Sequence, residues 1–510
     1  MSILSAVAKR VDDWLNPIVV KEARQAVRSR FVSAILLVFL ALQLVVVWLY
    51  VLFNPDLASE LSGGQDVASI LFCILTGSCM LFVPIYSAVR LAWERSAVQM
   101  DLMFTTTVSP GAVIRGKMVN AALLTGLIYS ACAPFMTFAY LLRGIDLPTI
   151  FLLLALGLLN VVLAVQFALF LACIPTSILA KVFLGLFGLG VLLFGMFWGL
   201  WLGTTAFVVG PLFGMPTGGS DFWTGMATLA LSALLTIGLL YVFSVAVLSP
   251  PSANRMLPVR AYIVGAWLVL GIVSALWKYV GGSDTAMLPW AAISAVFFSI
   301  WFAVAVSERS SWGTRIRRRI PKRLLPRAFA FLFTSGSAGG VLWTVGMIAL
   351  TLGILVAADG PLAGRPPSPD FEEVLAVIAG LALYGFAYAM TAAILRRLLF
   401  SGRLRIPHYY TWVIAMALLT IGSLFPIAVL LLTCYGTGKW SLEALSGGPW
   451  TLTNPFYLFS DDSRAGHLVF AAAWSALMTV VSIPWMVREA AAFKPILSPP
   501  HPSSESATDG

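Results

Sequence analysis

Charged residues are scarce in this sequence: 32 Lys and Arg and 22 Asp and Glu stand among 510 residues, or 11%. An average soluble protein carries roughly a quarter. Hydrophobic residues make up 60% of the chain, and a soluble fold has too little interior to bury that much apolar surface. The composition therefore excludes a cytosolic enzyme and, despite the net charge of +10, a nucleic-acid-binding protein.

Nothing in the sequence indicates a disulfide-stabilised secreted domain. The five cysteines lie inside or at the end of apolar runs, and their spacing is not typical of a disulfide framework or a metal site. We expect no signal peptide, because the first apolar run is long enough to span a membrane and no small-residue cleavage site follows it.

What the sequence does contain is long apolar runs. A transmembrane helix needs about 20 mainly apolar residues, whereas a β-barrel would show short alternating strands. We therefore predict an all-α polytopic membrane protein. Its twelve transmembrane helices are expected at residues 31–53, 67–89, 118–141, 149–172, 182–210, 223–247, 261–280, 288–306, 337–358, 374–395, 411–433 and 468–487.

The distribution of basic residues predicts that both termini are cytoplasmic. With that orientation the inner segments hold 27 of the 32 basic residues and the outer segments hold five. Such an excess of Lys and Arg is typical of cytoplasmic loops.

Ionisable side chains are missing from the predicted spans. Every charged residue falls in a loop or at a span end, and His408, His467 and His501 also lie outside the spans. Proton- and ion-coupled carriers usually need such a group at membrane depth. We therefore expect the energy source to lie outside the membrane core.

The N-terminal segment is predicted to lie on the inner leaflet. Residues 3–15 have the pattern of an amphipathic interfacial helix. Asn16 is then expected to cap a second helix that has Pro17 at its first position.

The inner loop 90–117 is predicted to be a helix, a break and a second helix. The apolar face of its first helix, which we expect to hold the helix against the spans, consists of Trp93, Ala97, Met100 and Phe104. Thr105–Gly111 is expected to break the helix, which resumes at Arg115. This loop could dock a soluble partner or rest on lipid head groups.

Two segments resemble the ABC-2 type permeases, which are the membrane subunits of ATP-driven exporters. The first is NPIVVKEARQAVRSRF (16–31). The second matches the family at Glu94, Arg95, Asp101, Leu102, Thr105, Thr106, Ser109, Gly116 and Lys117. It departs from the family at Val98, Gln99 and Thr107.

The resemblance implies a permease subunit of the bacterial inner membrane that has no catalytic site and binds no cofactor. ATP and Mg²⁺ would bind to a separate cytoplasmic ATPase. The residues implied to couple to that ATPase are Glu94, Arg95, Asp101, Thr105, Thr106 and Ser109. Whether one chain is a full transporter or half of a homo- or heterodimer stays open.

The resemblance also suggests how the chain is divided. Residues 1–30 form the entry segment, 31–250 a six-span core, 251–487 a second six-span region and 488–510 a flexible cytoplasmic tail. NPFYLF (454–459) resembles an Asn-Pro element that ABC-2 permeases place before their last span, and ERSSW (308–312) echoes ERSAV (94–98). Together these two segments suggest a diverged repeat.

The inner loop 307–328 carries eight basic residues. We interpret it as a lipid-phosphate anchor rather than a second ATPase dock.

Two nucleotide-like motifs are interpreted as coincidences. LSGGQ (61–65) lies in an outer loop, and GAVIRGKM (111–118) has Met118 where a phosphate loop needs Ser or Thr.

Small and polar residues inside the spans indicate helix packing. Gly195, Gly199 and Gly203 form a ridge that either packs against a span of the same chain or forms a subunit interface. The buried polar residues Gln43, Asn120, Asn160 and Gln166 either line a pathway or bond neighbouring helices, and the second interpretation is favoured.

Two other classes of function remain as alternatives. One is an ion-independent lipid flippase or a secondary carrier, and the other is a structural assembly subunit. An intramembrane enzyme is disfavoured, because no catalytic set of ionisable side chains lies in the spans. The uncharged spans favour a lipid-like or amphipathic substrate.

Overall fold

The computed structural model describes residues 17–54, 63–94, 109–142, 145–175, 178–208, 220–250, 252–279, 285–360, 370–399, 407–437 and 449–495. Its α-helices are α1 Pro17–Val27, α2 Arg30–Phe53, α3 Gly63–Glu94, α4 Pro110–Leu141, α5 Leu147–Cys173, α6 Ile178–Val208, α7 Ser220–Leu248, α8 Met256–Tyr279, α9 Met287–Val306, α10 Thr314–Arg317, α11 Leu324–Phe333, α12 Ser337–Asp359, α13 Phe371–Leu399, α14 Thr411–Thr437 and α15 Asp461–Ala492. Short 3₁₀ helices cover His408–Tyr410, Pro449–Thr453 and Pro455–Phe459.

Twelve of these helices are long and apolar enough to cross a membrane, which confirms the all-α polytopic fold. They are α2–α9 and α12–α15. Several exceed the roughly 30 Å of hydrocarbon, since 32 residues in α3 or α4 extend about 48 Å. Their end turns therefore lie at or beyond the lipid head groups. The buried pair Lys278–Asp359, for example, joins the ends of α8 and α12.

The chain divides into two compact units, residues 1–250 and 251–510. In the first unit α3 is the central helix and contacts α4, α5 and α6. In the second unit α9 packs on α12 and α13, and α13 packs in turn on α14 and α15. The central helices bury apolar side chains along their length, while α2, for example, exposes many large ones, as expected for a lipid-facing helix.

The glycine ridge of α6 packs against helices of its own unit. A Cβ added at Gly203 would lie 2.3 Å from the ring of Phe72 in α3. At Gly199 it would lie 2.8 Å from Nδ2 of Asn160 in α5, and at Gly195 3.4 Å from Cε of Met80. The ridge thus allows α6 to approach α3 and α5 closely, which agrees with the first of the two interpretations.

Three of the four buried polar residues bond neighbouring helices. Nε2 of Gln43 donates to Sγ of Cys132 at 3.1 Å, and Nε2 of Gln166 to Oγ of Ser244 at 3.2 Å. Nδ2 of Asn160 donates to the Gly195 carbonyl at 3.4 Å. These bonds support the packing interpretation over a pathway.

The Asn-Pro element before the last span lies beside the middle of two helices. Asn454 accepts a hydrogen bond from the Phe456 N–H at 3.0 Å and donates to the Ser423 carbonyl of α14 at 3.3 Å. Tyr384 in α13 donates to the Leu452 carbonyl at 2.6 Å. Residues 449–459 therefore fold back between α13, α14 and α15 instead of forming a surface loop.

One prediction about the last span is wrong. The helix begins at Asp461, so His467 lies inside it and is buried. Its Nδ1 is 2.7 Å from the Ser463 carbonyl and its Nε2 is 3.0 Å from the Thr451 carbonyl. The ring thereby fixes the 449–459 segment against α15.

Candidate coupling site in the first unit

The surface helix α1 packs against the end of α4 that is predicted to be cytoplasmic. It begins at Pro17, as expected from the sequence. Val19, Glu22 and Ala26 lie on one helical face at i, i+3 and i+7, and all three are buried. A carboxylate thus lies on the apolar face of α1.

Lys117 of α4 lies between two carboxylates that come from different elements. Its Nζ is 2.8 Å from Oε1 of Glu22 in α1 and 2.6 Å from Oε2 of Glu94, the last residue of α3. The side chain of Lys117 is 2% exposed, that of Glu22 is 3% exposed and that of Glu94 is 39% exposed. We call these three residues the coupling joint.

Neighbouring polar groups complete the surroundings of the joint. Nε of Arg90 lies 3.7 Å from Oε2 of Glu22, and Nη1 of Arg90 donates to the Tyr86 hydroxyl at 3.0 Å. Arg90 also bonds Gln25 of α1. The joint therefore ties α1, α3 and α4 together by charge as well as by apolar contact.

Electrostatics makes the joint interdependent. A buried ammonium group is strongly disfavoured unless it is paired, and removal of one partner leaves an uncompensated charge. A displacement of α1 or of the end of α3 must therefore move Lys117 with it, or break an ion pair in a poorly hydrated site.

The structure describes only two of the six residues that the resemblance implied for coupling. Glu94 belongs to the joint and faces Lys117 with about three-fifths of its side chain covered. Ser109 caps α4, and its Oγ accepts from the Ala112 N–H at 3.3 Å. Arg95, Asp101, Thr105 and Thr106 lie outside the described residues.

Two details of the predicted loop need correction. The second helix starts at Pro110 and not at Arg115, because Ser109 caps it and proline is favoured at a first helical position. Trp93 does not pack on the spans, since 82% of it is exposed. Ala97, Met100 and Phe104, as well as the proposed interfacial helix 3–15, lie outside the described residues.

Residues 111–118 are confirmed not to form a phosphate-binding loop. They lie within the first turns of α4 and are helical throughout. A phosphate loop would instead wrap its backbone N–H groups around an anion between a strand and a helix.

The second unit has a buried ion pair whose carboxylate, like Glu94, stands at the end of the second span, but whose cation comes from the first span and not from the third. Glu308 follows α9, pairs with Arg260 of α8 and accepts from the Gly336 N–H at 2.9 Å. Burial raises the pKa of the Glu308 carboxyl, whereas Arg260 and the Gly336 N–H favour its charged form.

A second buried carboxylate, from α15, lies at the same end of the second unit and binds the start of α12. Glu489 accepts from the Ala338 N–H at 3.1 Å and from the Ser337 hydroxyl at 3.0 Å. Both donors belong to the first turn of α12, where the helix dipole also favours a negative charge. Trp312, Phe331 and Phe493 pack edge to face beside it.

Sequence reasoning missed most of these pairings. Lys117 was noted only as part of the family pattern, while Glu22, Arg260 and Glu489 were not singled out. A signal for Glu22 existed in its i, i+3, i+7 spacing from Val19 and Ala26. No comparable signal connects Arg260 to Glu308, because 48 residues separate them.

Comparison with known proteins does not assign this chain to a family. No protein-family model matches the sequence, and neither a curated protein nor a solved structure shows significant similarity.

Proposed function

We propose that this protein is the membrane-spanning permease subunit of an ABC-2 type transporter of the bacterial inner membrane. A separate cytoplasmic ATPase would bind and hydrolyse ATP, and this chain would move the substrate, by export. The twelve apolar helices fit a multi-pass membrane protein and are consistent with a transporter. The coupling joint is the observation that supports coupling to a separate ATPase.

The joint supports the proposal by its position and composition. It links a surface helix, the end of one long span and the start of the next, at the side that the basic residues predict to be cytoplasmic. The loop implied to contact the ATPase begins directly after Glu94. A displacement of that loop by the ATPase would therefore be transmitted to Lys117 through the side chain of Glu94.

The long helix α4 then provides the mechanical connection. Lys117 is seven residues beyond Pro110, and α4 continues for 24 further residues to Leu141. Because a helix moves as a rigid element over several turns, a shift of Lys117 would displace α4 as far as Pro134, where the proline allows the helix to bend. This would change the access of the spans from one side of the membrane to the other.

The test begins with the tagged full-length chain, isolated from its native membranes in mild detergent. We expect an ATPase to co-purify and to be identified by mass spectrometry, and the isolated complex to hydrolyse ATP. Purified alone, the chain should hydrolyse none.

The alternative functions lead to different results. An ion-independent lipid flippase, a secondary carrier or a structural assembly subunit would be isolated without an ATPase. Lipid movement by the chain alone in vesicles that contain no ATP would contradict the proposal.

A further inference from the structure

A cleft of about 190 Å³ lies between α13 and α15 in the second unit. Its floor is apolar, with Met390 and Ala393 fully buried. Leu398 and Val481 line it but are 72% and 49% exposed, so the cleft opens on the outer surface of the two helices.

One end of the cleft carries a positive charge. The guanidinium carbon of Arg397 lies 3.9 Å from the centre of the Trp485 ring, which is a cation–π contact. Both residues line the cleft. Stacking on the ring holds the plane of the guanidinium group and leaves its N–H edge available for an anion.

In the part of the chain that the structure describes, the Glu489 carboxylate attracts Arg397 electrostatically but does not lie within 4 Å of it. Glu489 instead accepts hydrogen bonds from the Ser337 hydroxyl and the Ala338 N–H. The neighbouring Arg396 has a buried Nε that lacks a hydrogen-bond acceptor. Buried or half-buried charges are normally paired. The cleft therefore joins an apolar slot to a cationic group with free donors.

We propose that this cleft binds an anionic phospholipid of the cytoplasmic leaflet. One acyl chain lies in the slot between α13 and α15, and the phosphate accepts hydrogen bonds from Arg397. Arg397 is expected at the depth of the lipid head groups. It is near the C-terminal end of α13, where the excess of basic residues predicts the cytoplasmic surface. Trp485 has the position typical of an interfacial aromatic residue.

The apolar lining decides between a lipid and a soluble anion. Apart from Arg397 and Ser482, the lining consists of carbon-rich side chains and one indole ring. The Ser482 hydroxyl donates to the Thr479 carbonyl at 3.0 Å and is not free for a ligand. Inorganic phosphate would use the guanidinium group and leave the slot empty.

The test measures lipid retained by the purified full-length chain. The protein is exchanged into detergent with phosphatidylglycerol or phosphatidylcholine, and bound lipid is counted by native mass spectrometry. We expect tighter retention of phosphatidylglycerol. Arg397→Gln should reduce that preference about fivefold, the effect of one basic residue on anionic lipid. Val481→Trp, which fills the slot from an exposed position, should weaken retention of both lipids.

The control is Arg318→Gln, an exposed arginine of the basic loop, which should leave the tightly bound lipid unchanged. Circular dichroism and gel filtration establish that each variant is folded. Wild-type retention of phosphatidylglycerol by Arg397→Gln would overturn the proposal. So would equal thermal stabilisation of the wild type and Val481→Trp by inorganic phosphate alone, since that result indicates a simple anion site.

Discussion

The two units bury charge in different ways at the ends that are predicted to be cytoplasmic. In the first, Lys117 has two carboxylates, and one of them, Glu94, stays partly exposed beside the loop that follows it. In the second, Arg260 and Glu308 are almost completely enclosed, and Glu308 is also bound by a backbone N–H. In the first unit the exposed part of Glu94 is accessible to a partner outside the spans. In the second unit the enclosed pair is inaccessible to a partner and only holds its own helices together.

The units also differ in what covers this end. In the first, α1 lies over α4 and contributes Glu22. In the second, the aromatic cluster of Trp312, Phe331 and Phe493 closes the region together with Glu489. Glu94 and Glu308, the first residues of the similar motifs ERSAV and ERSSW, therefore have different surroundings. This enclosed arrangement argues against interpreting the ERSSW segment as a second ATPase dock.

The largest effect is expected from Arg260→Met. The substitution leaves Glu308 buried without its cation, and breaking such a pair costs about 3–5 kcal/mol. Unfolding of the purified chain in detergent, followed by circular dichroism, measures this loss. The matched control Arg319→Met removes an exposed charge and should change stability by less than about 0.5 kcal/mol. Equal stability of the two variants would contradict the enclosed pair.

Lys117→Met should have a smaller effect, at the lower end of about 3–5 kcal/mol. Glu22 keeps Arg90 at 3.7 Å and Glu94 remains partly hydrated, so less charge is left uncompensated than in the second unit. The double variant with Glu22→Gln should recover part of the loss, because the stranded carboxylate is then neutral. Strict additivity of the two substitutions would show that the pair does not interact.

Asp101→Lys is expected to weaken association with the ATPase while leaving the stability of the chain nearly unchanged. From the sequence we expect Asp101 to be an exposed loop charge, whose replacement changes stability by under about 0.5 kcal/mol. A like charge at an interface should weaken ATPase association about tenfold or more. Co-purification of the ATPase measures the effect. Arg318→Glu in the basic loop of the second unit is the comparison and should change association little. The opposite ranking would place the dock in the second unit.

The smallest effect should come from Glu94→Gln. Glu94 is 39% exposed, and Lys117 keeps Glu22 at 2.8 Å when Glu94 is neutral. The loss of stability should therefore be only about 0.2–1 kcal/mol, as for a solvent-exposed pair. We expect nearly normal unfolding but reduced stimulation of the ATPase by substrate, if Glu94 transmits motion to Lys117. Reduced stability with unchanged stimulation would make Glu94 a structural residue only.

Much of the fold could be predicted because membrane insertion depends on local sequence. A run of about 20 apolar residues spans the hydrocarbon wherever it occurs. The prediction was least accurate at helix ends, where α4 starts at Pro110 and α15 at Asp461. There the start of a helix depends on a cap or a packed neighbour as well as on hydropathy.

The sequence by itself determined the number of spans, the helical class and the absence of charge from the middle of the spans, because each follows from hydropathy and charge read along the chain. Only the tertiary structure decided which charges meet. Lys117 and Glu22 are 95 residues apart, and Ser337 and Glu489 are 152 apart. Such pairs form because helices pack side by side and bring together residues whose separation along the chain carries no periodic signal.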